Sequence, residues 1–313
     1  MSANLVRPDV RAFLDALSLT PLAELSALGV EGARALMEQI RATRPAPEHN
    51  LAIVRDLESV GAAGPLQLRF YDARPERAAG PIVVYYHGGG FVLGDLNSHH
   101  AVCLEIARAV DVPVIAVNYR LAPENPWPAA VDDAEAAARW VVENAKNELN
   151  RDLTSLVLAG DSAGGNLAAV TAAALRDAPA PVPVAAQFLI YPTTGVSEQS
   201  RSEVEFAEGF FLTGRSIDWF NANYDAPPQN PRYDLYAAGL DGMPSTLLVT
   251  AGLDPLRDEG RAYAVALTEA GVPVSYQEME GNIHGCFSMS AAIPSTAKDM
   301  EKAFNALRRL IAH

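Results

Sequence analysis

Short apolar runs rich in β-branched residues alternate with helix-like segments along most of the chain. The predicted strands are residues 82–86, 112–118, 156–159, 186–191, 246–250 and 274–278, and the clearest helices are residues 129–145 and 163–175. Because parallel strands need long crossover connections that are usually helical, this alternation predicts an α/β protein with a mainly parallel central sheet flanked by helices. At 313 residues the chain is long enough for one large domain with a small accessory element.

Two regions depart from this alternation. Residues 1–50 indicate amphipathic helices at 10–17 and 22–40, followed by a proline-rich stretch. Residues 193–239 lie between two predicted strands and are rich in aromatic side chains. This second region is expected to pack over something apolar, and an ordinary helix packed on the core is the alternative.

The charge and the cysteine content exclude several classes of partner. A formal net charge of −14 repels phosphate backbones and anionic headgroups, so neither nucleic acid nor a membrane surface is expected as a partner. No apolar run reaches the roughly 18–20 residues of a membrane span, and the N terminus does not resemble a signal peptide. The two cysteines, Cys103 and Cys286, provide neither a disulfide framework nor a zinc site. A cytoplasmic protein without a metal is therefore expected.

The segment 160–164 reads Gly-Asp-Ser-Ala-Gly and matches the pattern G-x-S-x-G. It stands between a predicted strand and an alanine-rich predicted helix, where this pattern forms a sharp strand-to-helix turn. Glycines flank the serine because larger side chains would collide with the neighbouring strand and helix. Ser162 is therefore predicted to be a nucleophile, exposed over the positive end of the following helix.

A serine hydroxyl needs a neighbouring imidazole to accept its proton. In enzymes with this type of turn the chain order is serine, acid, histidine, which leaves His284 and His313 of the six histidines. His313 is the final residue of the sequence, where fraying is expected. His284 follows the last predicted strand in a loop that contains Gly281 and Gly285, so His284 is predicted to be the base.

The acid has to reach the imidazole from the same edge of the sheet, so it must follow a strand between Ser162 and His284. Asp254 comes four residues after the strand at 246–250, and it is the predicted acid. Asp258 is the reserve candidate. Asp161 adjoins the serine, but on so sharp a turn its side chain should point away and steady neighbouring loops.

The segment 86–91 reads Tyr-His-Gly-Gly-Gly-Phe and follows a predicted strand. Consecutive glycines there allow backbone N–H groups to approach a developing negative oxygen, which predicts an oxyanion hole. A simple tight turn is the alternative. His87 is expected to steady this glycine loop rather than to act as a base.

Together these residues resemble the hormone-sensitive-lipase-like esterases of the α/β-hydrolase superfamily, including the bacterial family IV branch with Gly-Asp-Ser-Ala-Gly-Gly at the turn. The resemblance spans nearly the whole chain. It includes His-Gly-Gly-Gly-Phe at 87–91, Tyr-Arg-Leu-Ala-Pro-Glu at 119–124, Pro-Ala-Ala-Val-Asp-Asp-Ala at 128–134, Asp-Pro-Leu-Arg-Asp-Glu at 254–259 and Ile-His-Gly at 283–285. It implies an α/β-hydrolase fold with a helical cap.

The resemblance also implies a domain division and roles for particular residues. Residues 1–50 and 193–239 would form the cap over a catalytic domain of residues 51–192 and 240–313. Backbone N–H groups that would bind the oxyanion belong to Gly89, Gly90 and Ala163. Side chains expected to line the substrate pocket are Phe91, Tyr191, Phe210, Leu212, Trp219 and Phe220. Side chains expected to hold loops through charge-assisted hydrogen bonds are Arg120, Glu124 and Asp133.

One position departs from the family pattern, because Cys286 directly follows His-Gly where relatives usually carry Phe. This leaves the pocket wall beside His284 undefined, and Cys286 is not expected to be a competing nucleophile. The family also includes a hormone receptor that has lost its catalytic histidine. This chain retains His284, which favours an enzyme.

These features predict a serine carboxylesterase that hydrolyses short- to medium-chain esters through an acyl-enzyme and needs no cofactor. The enzymatic alternative is hydrolysis of another acyl bond, in a lactone, an amide or an acetylated sugar. The alternative from another class is a non-catalytic ligand-binding receptor on an esterase scaffold. The expected partner is a small-molecule ester, and the sequence is also compatible with a homo-oligomer.

Overall fold

The computed structural model describes residues 5–19, 25–43, 47–195 and 199–312. Within these ranges one eight-stranded sheet has the order β1-β2-β4-β3-β5-β6-β7-β8. The strands are β1 (Ile53–Gly61), β2 (Gly64–Asp72), β3 (Gly80–Tyr86), β4 (Val114–Val117), β5 (Leu153–Asp161), β6 (Val184–Ile190), β7 (Ser245–Leu253) and β8 (Val274–Ile283). Strand β2 pairs antiparallel with β1 and β4, and every other neighbouring pair is parallel. The predicted mainly parallel sheet is confirmed.

Helices connect the strands and cover both faces of the sheet. They are α1 (Pro8–Leu19), α2 (Gly29–Ala42), α3 (His100–Val110), α4 (Ala129–Asn144), α5 (Ala163–Asp177), α6 (Arg201–Glu205), α7 (Gly214–Tyr224), α8 (Arg257–Glu269) and α9 (Thr296–Ile311). The helix predicted at 22–40 appears as a 3-10 turn at Leu25–Leu28 followed by α2, and its residues 22–24 lie outside the described residues. No helix in the described ranges is long and apolar enough to cross a membrane.

The sheet is buried on both faces, so its central strands are almost continuously apolar. Successive residues point to opposite faces, and each face has its own core. Val84 and Leu158 lie in the core beneath α4 and α5, whereas Val83 and Val157 lie in the core beneath α3 and α9. Burying one such side chain stabilises the fold by about 1.5–3 kcal/mol. This two-sided burial fixes the carboxyl ends of the parallel strands along one edge.

A smaller apolar core, here called the satellite core, lies between α1 and the carboxyl ends of β7 and β8. Its buried members are Val10, Leu14, Phe206, Leu253, Ile283, Met289 and Ile293. Polar contacts fix the start of α1 beside it, since Asp9 accepts a hydrogen bond from the backbone N–H of Ser295 at 2.7 Å and Arg7 forms an ion pair with Asp299. The N-terminal helix is thereby attached to the loops that follow β7 and β8.

Helix α5 lies unusually close to strand β3. A Cβ atom placed on Gly164 would lie 2.0 Å from the carbonyl oxygen of Tyr86, which no side chain can tolerate. A backbone atom blocks this position, so the clash cannot be relieved by a side-chain rotation. Glycine at 164 therefore lets the first turn of α5 rest on the end of β3.

We predict that Gly164→Ala lowers the free energy of unfolding by about 1–3 kcal/mol or more, because the added methyl group forces α5 away from β3. Urea denaturation measures the change. Gly80→Ala is the matched control, since a Cβ there would lie 3.8 Å from the nearest atom. It should change the stability by less than about 0.5 kcal/mol. Equal effects of the two substitutions would contradict this account of the packing.

Candidate active site

Ser162 lies at the turn between β5 and α5, with φ +55° and ψ −120°. Positive φ is strained for a residue other than glycine, and such strain concentrates at functional sites. Its backbone N–H donates to the carbonyl oxygen of Ile190 at the end of β6, at 2.9 Å, which ties the turn to the neighbouring strand. The serine hydroxyl is held above the first turn of α5, where the helix dipole is positive.

Three predicted site residues converge at the carboxyl edge of the sheet. Ser162 follows β5, Asp254 follows β7 and His284 follows β8. His284 Nε2 lies 2.9 Å from Ser162 Oγ, and His284 Nδ1 lies 2.7 Å from Asp254 Oδ2. Asp254 is 0% exposed, and its Oδ1 accepts the backbone N–H of Leu256 at 2.9 Å. The imidazole is therefore oriented by a buried carboxylate and faces the serine oxygen.

Asp258, the reserve candidate for the acid, lies in the first turn of α8 and has other partners. Its carboxylate accepts hydrogen bonds from Arg257 Nε at 2.8 Å and from the backbone N–H of Ser202 at 3.0 Å. Arg261 NH1 is also 3.0 Å from it. Burial raises the pKa of this carboxyl, but these hydrogen bonds and the charges of both arginines more than offset that effect and hold the pKa below its usual value. Asp258 thus fastens α6 to α8, away from His284.

The glycine loop that follows β3 lies at the same edge of the sheet, because β3 is parallel to β5. Gly89 and Gly90 have φ values of +122° and +60°, which favour glycine. Within the described residues, no hydrogen bond uses the N–H of Gly89, of Gly90 or of Ala163, the first residue of α5. Unpaired backbone donors of this kind are what the binding of a developing oxyanion requires, so the oxyanion hole stays a prediction.

A buried polar network supports this loop from behind. Asp161 accepts hydrogen bonds from Tyr85 Oη at 2.6 Å and from the backbone N–H of Gly88 at 2.9 Å, and His99 Nε2 lies 3.2 Å away. Burial opposes ionisation, but the charge of His99 and these hydrogen bonds hold the pKa of Asp161 below its usual value. The backbone position of Gly88 therefore depends on a charged, hydrogen-bonded anchor.

His87 packs inside the glycine loop. Its ring stacks on Tyr119 at 4.3 Å between centroids, and Tyr119 Oη donates to the carbonyl oxygen of His87 at 2.6 Å. Burial lowers the pKa of His87 to about 4, so the ring is neutral at physiological pH. This agrees with the expectation that His87 steadies the loop.

The residues expected to hold loops form ion pairs around this region. Arg120 donates to both carboxylate oxygens of Asp133, at 2.8 and 3.0 Å. Glu124 accepts two hydrogen bonds from Arg34 of α2, at 2.8 and 2.9 Å. Arg34 also donates to the carbonyl oxygens of Val92 and Ala122, at 3.0 and 2.9 Å, and these contacts were not predicted. Helix α2 is thereby fastened to the segment that follows the glycine loop.

The residues expected to line the pocket have different environments. Phe91 is buried and stacks on Tyr224, with 3.8 Å between centroids. Tyr191 is 1% exposed and its ring lies 4.7 Å from that of His284. Phe210 packs on Phe206 and the satellite core.

Trp219 and Phe220, two further residues expected in the pocket, lie in contact with each other on α7. Their ring centroids are 5.1 Å apart, and both are partly buried against the main core. A Cβ placed on Gly90 would lie 2.2 Å from the ring of Phe220, so this ring covers the glycine loop. Leu212 is partly exposed. A role in substrate binding for these six residues stays a prediction.

Phe211 belongs to the aromatic region 193–239 that the sequence predicts to pack over something apolar, and it lies against Gly285, the residue after His284. Phe13 of α1, which the sequence did not single out, lies beside Phe211 with 6.2 Å between ring centroids. The sequence does not show which of the adjacent rings, Phe210 or Phe211, contacts Gly285, because this depends on one backbone dihedral.

Cys286 is fully buried, with its sulfur 3.7 Å from that of Met279. Burial raises the pKa of this thiol well above its usual value, so the reactive thiolate is disfavoured. Phe287, one position later, packs in the core against Phe188 and Tyr191. The described residues contain no group of three His, Cys, Asp or Glu side chains arranged to hold a metal ion.

Glu259 is a further titratable group close to this edge of the sheet. Its Oε1 accepts the backbone N–H of Thr194 at 2.8 Å. Burial, together with the nearby charges of Asp254 and Glu203, raises the pKa of the Glu259 carboxyl to about 8. Glu259 therefore keeps its proton at neutral pH.

Comparisons with known proteins identify the family of the chain. A family described as the alpha/beta hydrolase fold matches residues 83–288. The chain is 40% identical over 289 residues to the carboxylic ester hydrolase LipN of Mycobacterium tuberculosis, covering 89% of this chain and 76% of LipN. It is 34% identical over 326 residues to an ethyl acetate hydrolase of Pseudomonas putida, covering 99% of each chain. Among solved structures, a variant of LAE6, an α/β-hydrolase enzyme from the metagenome of Lake Arreo, Spain, has a TM-score of 0.91, 37% identity and 99% coverage of both chains.

The hydrogen bond between Asp254 and His284 should control how fast Ser162 reacts with a sulfonyl fluoride. Asp254→Asn should slow the labelling of Ser162 on the order of 10⁴-fold, because the amide favours the wrong imidazole tautomer. Mass spectrometry of labelled peptides measures the rate. Asp258→Asn, the matched control four residues further along in α8, should label at a rate close to that of the wild type. If Asp258→Asn slowed the labelling more than Asp254→Asn did, the acid would be Asp258 and not Asp254.

The raised pKa of Glu259 predicts a pH-dependent stability. Between about pH 5 and 8 the folded state retains a proton that the unfolded chain has lost, so the free energy of unfolding should fall as pH rises. Glu259→Gln should remove this slope and stabilise the protein at pH 8 on the order of 2 kcal/mol. Thermal denaturation from pH 5 to 9 measures both, with Glu269→Gln on the same helix as control. A wild-type slope that survives in Glu259→Gln would exclude Glu259 as its source.

Proposed function

Since the chain belongs to the α/β-hydrolase family, we propose that it hydrolyses carboxylic esters with Ser162 as nucleophile, His284 as general base and Asp254 as the acid that orients the histidine. The observation that carries the proposal is the pair of hydrogen-bond distances that joins Ser162 Oγ to His284 Nε2 and His284 Nδ1 to Asp254 Oδ2. A serine within hydrogen-bond reach of an oriented imidazole is the arrangement that acyl transfer requires. No cofactor takes part in this chemistry.

In the first half-reaction His284 Nε2 accepts the proton of Ser162 as the serine oxygen attacks the carbonyl carbon of the ester. The carbonyl π electrons move to its oxygen, which becomes negatively charged. The resulting imidazolium is stabilised by the carboxylate of Asp254. His284 then gives the proton to the alcohol oxygen as the carbon–oxygen bond breaks, and the acyl group remains on Ser162.

In the second half-reaction water takes the place of the alcohol. His284 removes a proton from this water, whose oxygen attacks the acyl carbon. The tetrahedral intermediate collapses, the bond to Ser162 Oγ breaks, and His284 returns its proton to the serine. The products are the free carboxylic acid and the original enzyme, so protons and electrons balance over the cycle.

The oxyanion of both intermediates is proposed to accept hydrogen bonds from the backbone N–H groups of Gly89, Gly90 and Ala163. Preorganised donors of this kind each contribute about 10²–10³ to kcat in serine hydrolases. The proposal is supported by the unused N–H groups and by the network of Asp161 that holds Gly88. The positive end of α5 adds a favourable potential at the same place.

We also propose that residues 1–50 and 193–239 form a cap over the catalytic domain of residues 51–192 and 240–313. Support comes from the satellite core, where Val10 and Leu14 of α1 meet Phe206 from the 193–239 segment. Further support is Arg34, which fastens α2 beside the glycine loop. Such a cap would exclude water and limit the length of the substrate.

The proposed substrates are soluble short- to medium-chain esters. The partly buried ring of Phe220 covers Gly90 of the glycine loop, and a relative whose match covers 99% of this chain is an ethyl acetate hydrolase. A cytoplasmic location without nucleic-acid or membrane partners is proposed on the net charge of −14 and on two buried free thiols.

This function predicts that Ser162→Ala loses on the order of 10⁶ in kcat for nitrophenyl acetate, because the nucleophile is removed while the fold is kept. Ser155→Ala, at the other end of β5, is the matched control and should retain wild-type activity. In a nitrophenyl ester series kcat/KM should rise to a maximum at short or medium acyl length and then fall. Near wild-type turnover in Ser162→Ala would contradict the proposed reaction. A maximum of kcat/KM beyond twelve carbons would contradict the proposed substrate class.

A further inference from the structure

Phe211 is the central residue of a three-residue turn. Its φ is +75°, and the N–H of Leu212 donates to the carbonyl oxygen of Phe210 at 3.0 Å across it. This γ-turn geometry is rare and strained, and positive φ is a genuine outlier for a bulky side chain. Backbone strain of this kind persists where the surrounding structure enforces it, and it clusters at ligand sites.

The turn sends two adjacent rings in different directions. Phe210 packs on Phe206 and the satellite core, which fixes the segment in place. The side chain of Phe211 remains 43% exposed. A rigid backbone therefore presents one large apolar ring partly to solvent, close to the triad.

The ring of Phe211 lies beside the residue that follows His284. A Cβ placed on Gly285 would lie 3.3 Å from Phe211 Cε1, so the ring edge rests on the backbone of the histidine loop. Phe13 of α1 supports the ring from another side, with 6.2 Å between centroids and 57° between ring planes. Phe13 itself packs against the satellite core.

The chemistry of the proposed reaction distinguishes the two sides of this site. The leaving alcohol oxygen must receive a proton from His284, so the alcohol part of the ester lies on the histidine side. The carbonyl oxygen points to the glycine loop, where the ring of Phe220 covers Gly90. Phe211 adjoins the histidine loop and Phe220 the glycine loop, so the two rings face different parts of the ester.

We propose that Phe211, supported by Phe13, is a specificity-determining residue that packs against the alcohol part of the ester and favours bulky apolar alcohols, above all aromatic ones. This role rests on the proposed ester hydrolysis, and it identifies the alcohol part of the ester as the part that the Phe211 ring selects. Aromatic rings pack well on one another in offset or edge-to-face arrangements, so benzyl esters should be preferred to methyl esters.

The test compares kcat/KM for three esters in wild type and variants. Benzyl acetate against methyl acetate measures selection of the alcohol, and methyl butyrate against methyl acetate measures selection of the acyl chain. In Phe211→Ala the benzyl-to-methyl preference should fall about tenfold, the effect of a lost apolar contact, while the butyrate-to-acetate ratio changes less than about twofold. Phe13→Ala should shift the same preference in the same direction, by less.

Two further variants separate the effect of the Phe211 ring from the effect of the backbone strain at this residue. Phe211→Gly relieves the strain at positive φ and should lose the benzyl preference as fully as Phe211→Ala does, whereas Phe211→Leu should retain part of it. Val204→Ala, which truncates a side chain that is 63% exposed on α6, is the control and should keep both ratios.

The outcomes separate this inference from the proposed function. A wild-type enzyme that hydrolyses none of the three esters would overturn ester hydrolysis itself. Intact turnover with an unchanged benzyl preference in Phe211→Ala and Phe211→Leu would overturn the role of Phe211 alone. A change confined to the butyrate-to-acetate ratio would overturn it as well, since it would place the ring on the acyl side. If Phe211→Ala fails to fold, the Leu variant decides between these results.

Discussion

The close approach of α5 to β3 at Gly164 is the constraint on which the rest of the site depends. Because no side chain intervenes, the first turn of α5 begins directly above the sheet, and Ser162 is held at positive φ at its start. The same approach places the start of α5 beside the backbone of His87, where the glycine loop begins. The proposed nucleophile, the N-terminus of a helix and the proposed oxyanion donors thereby depend on one close contact.

The satellite core links the N-terminal helix to the chemistry. It contains Leu253 and Ile283, which directly precede Asp254 and His284, and it also contains side chains of α1. Helix α1, whose Phe13 supports Phe211, therefore packs against the residues that precede Asp254 and His284. A substitution in α1 such as Leu14→Ala would remove contacts of the core that contains Leu253 and Ile283 and against which Phe13 packs.

The sequence predicted the elements that depend on local pattern, and the family and fold it indicated are confirmed. Six strands and the Ser162 turn followed from apolar runs and glycine spacing. The β1–β2 hairpin at 53–72 was not predicted, because its polar edge strand has no continuous apolar run. The aromatic region that contains Phe211 was recognised, but its contact with Gly285 could not be predicted, because two adjacent phenylalanines are equivalent in sequence and only a dihedral and a distant partner, Phe13, distinguish them.

In the proposed mechanism Ser162 carries the acyl group between the two half-reactions. Mass spectrometry of the enzyme quenched within milliseconds of mixing with nitrophenyl acetate detects this intermediate, and the time course of nitrophenolate release shows when it forms. A burst of nitrophenolate before steady turnover and one acetyl group on the peptide that contains Ser162 are expected. An acetyl group on Cys286, or on any residue other than Ser162, would exclude Ser162 as the carrier.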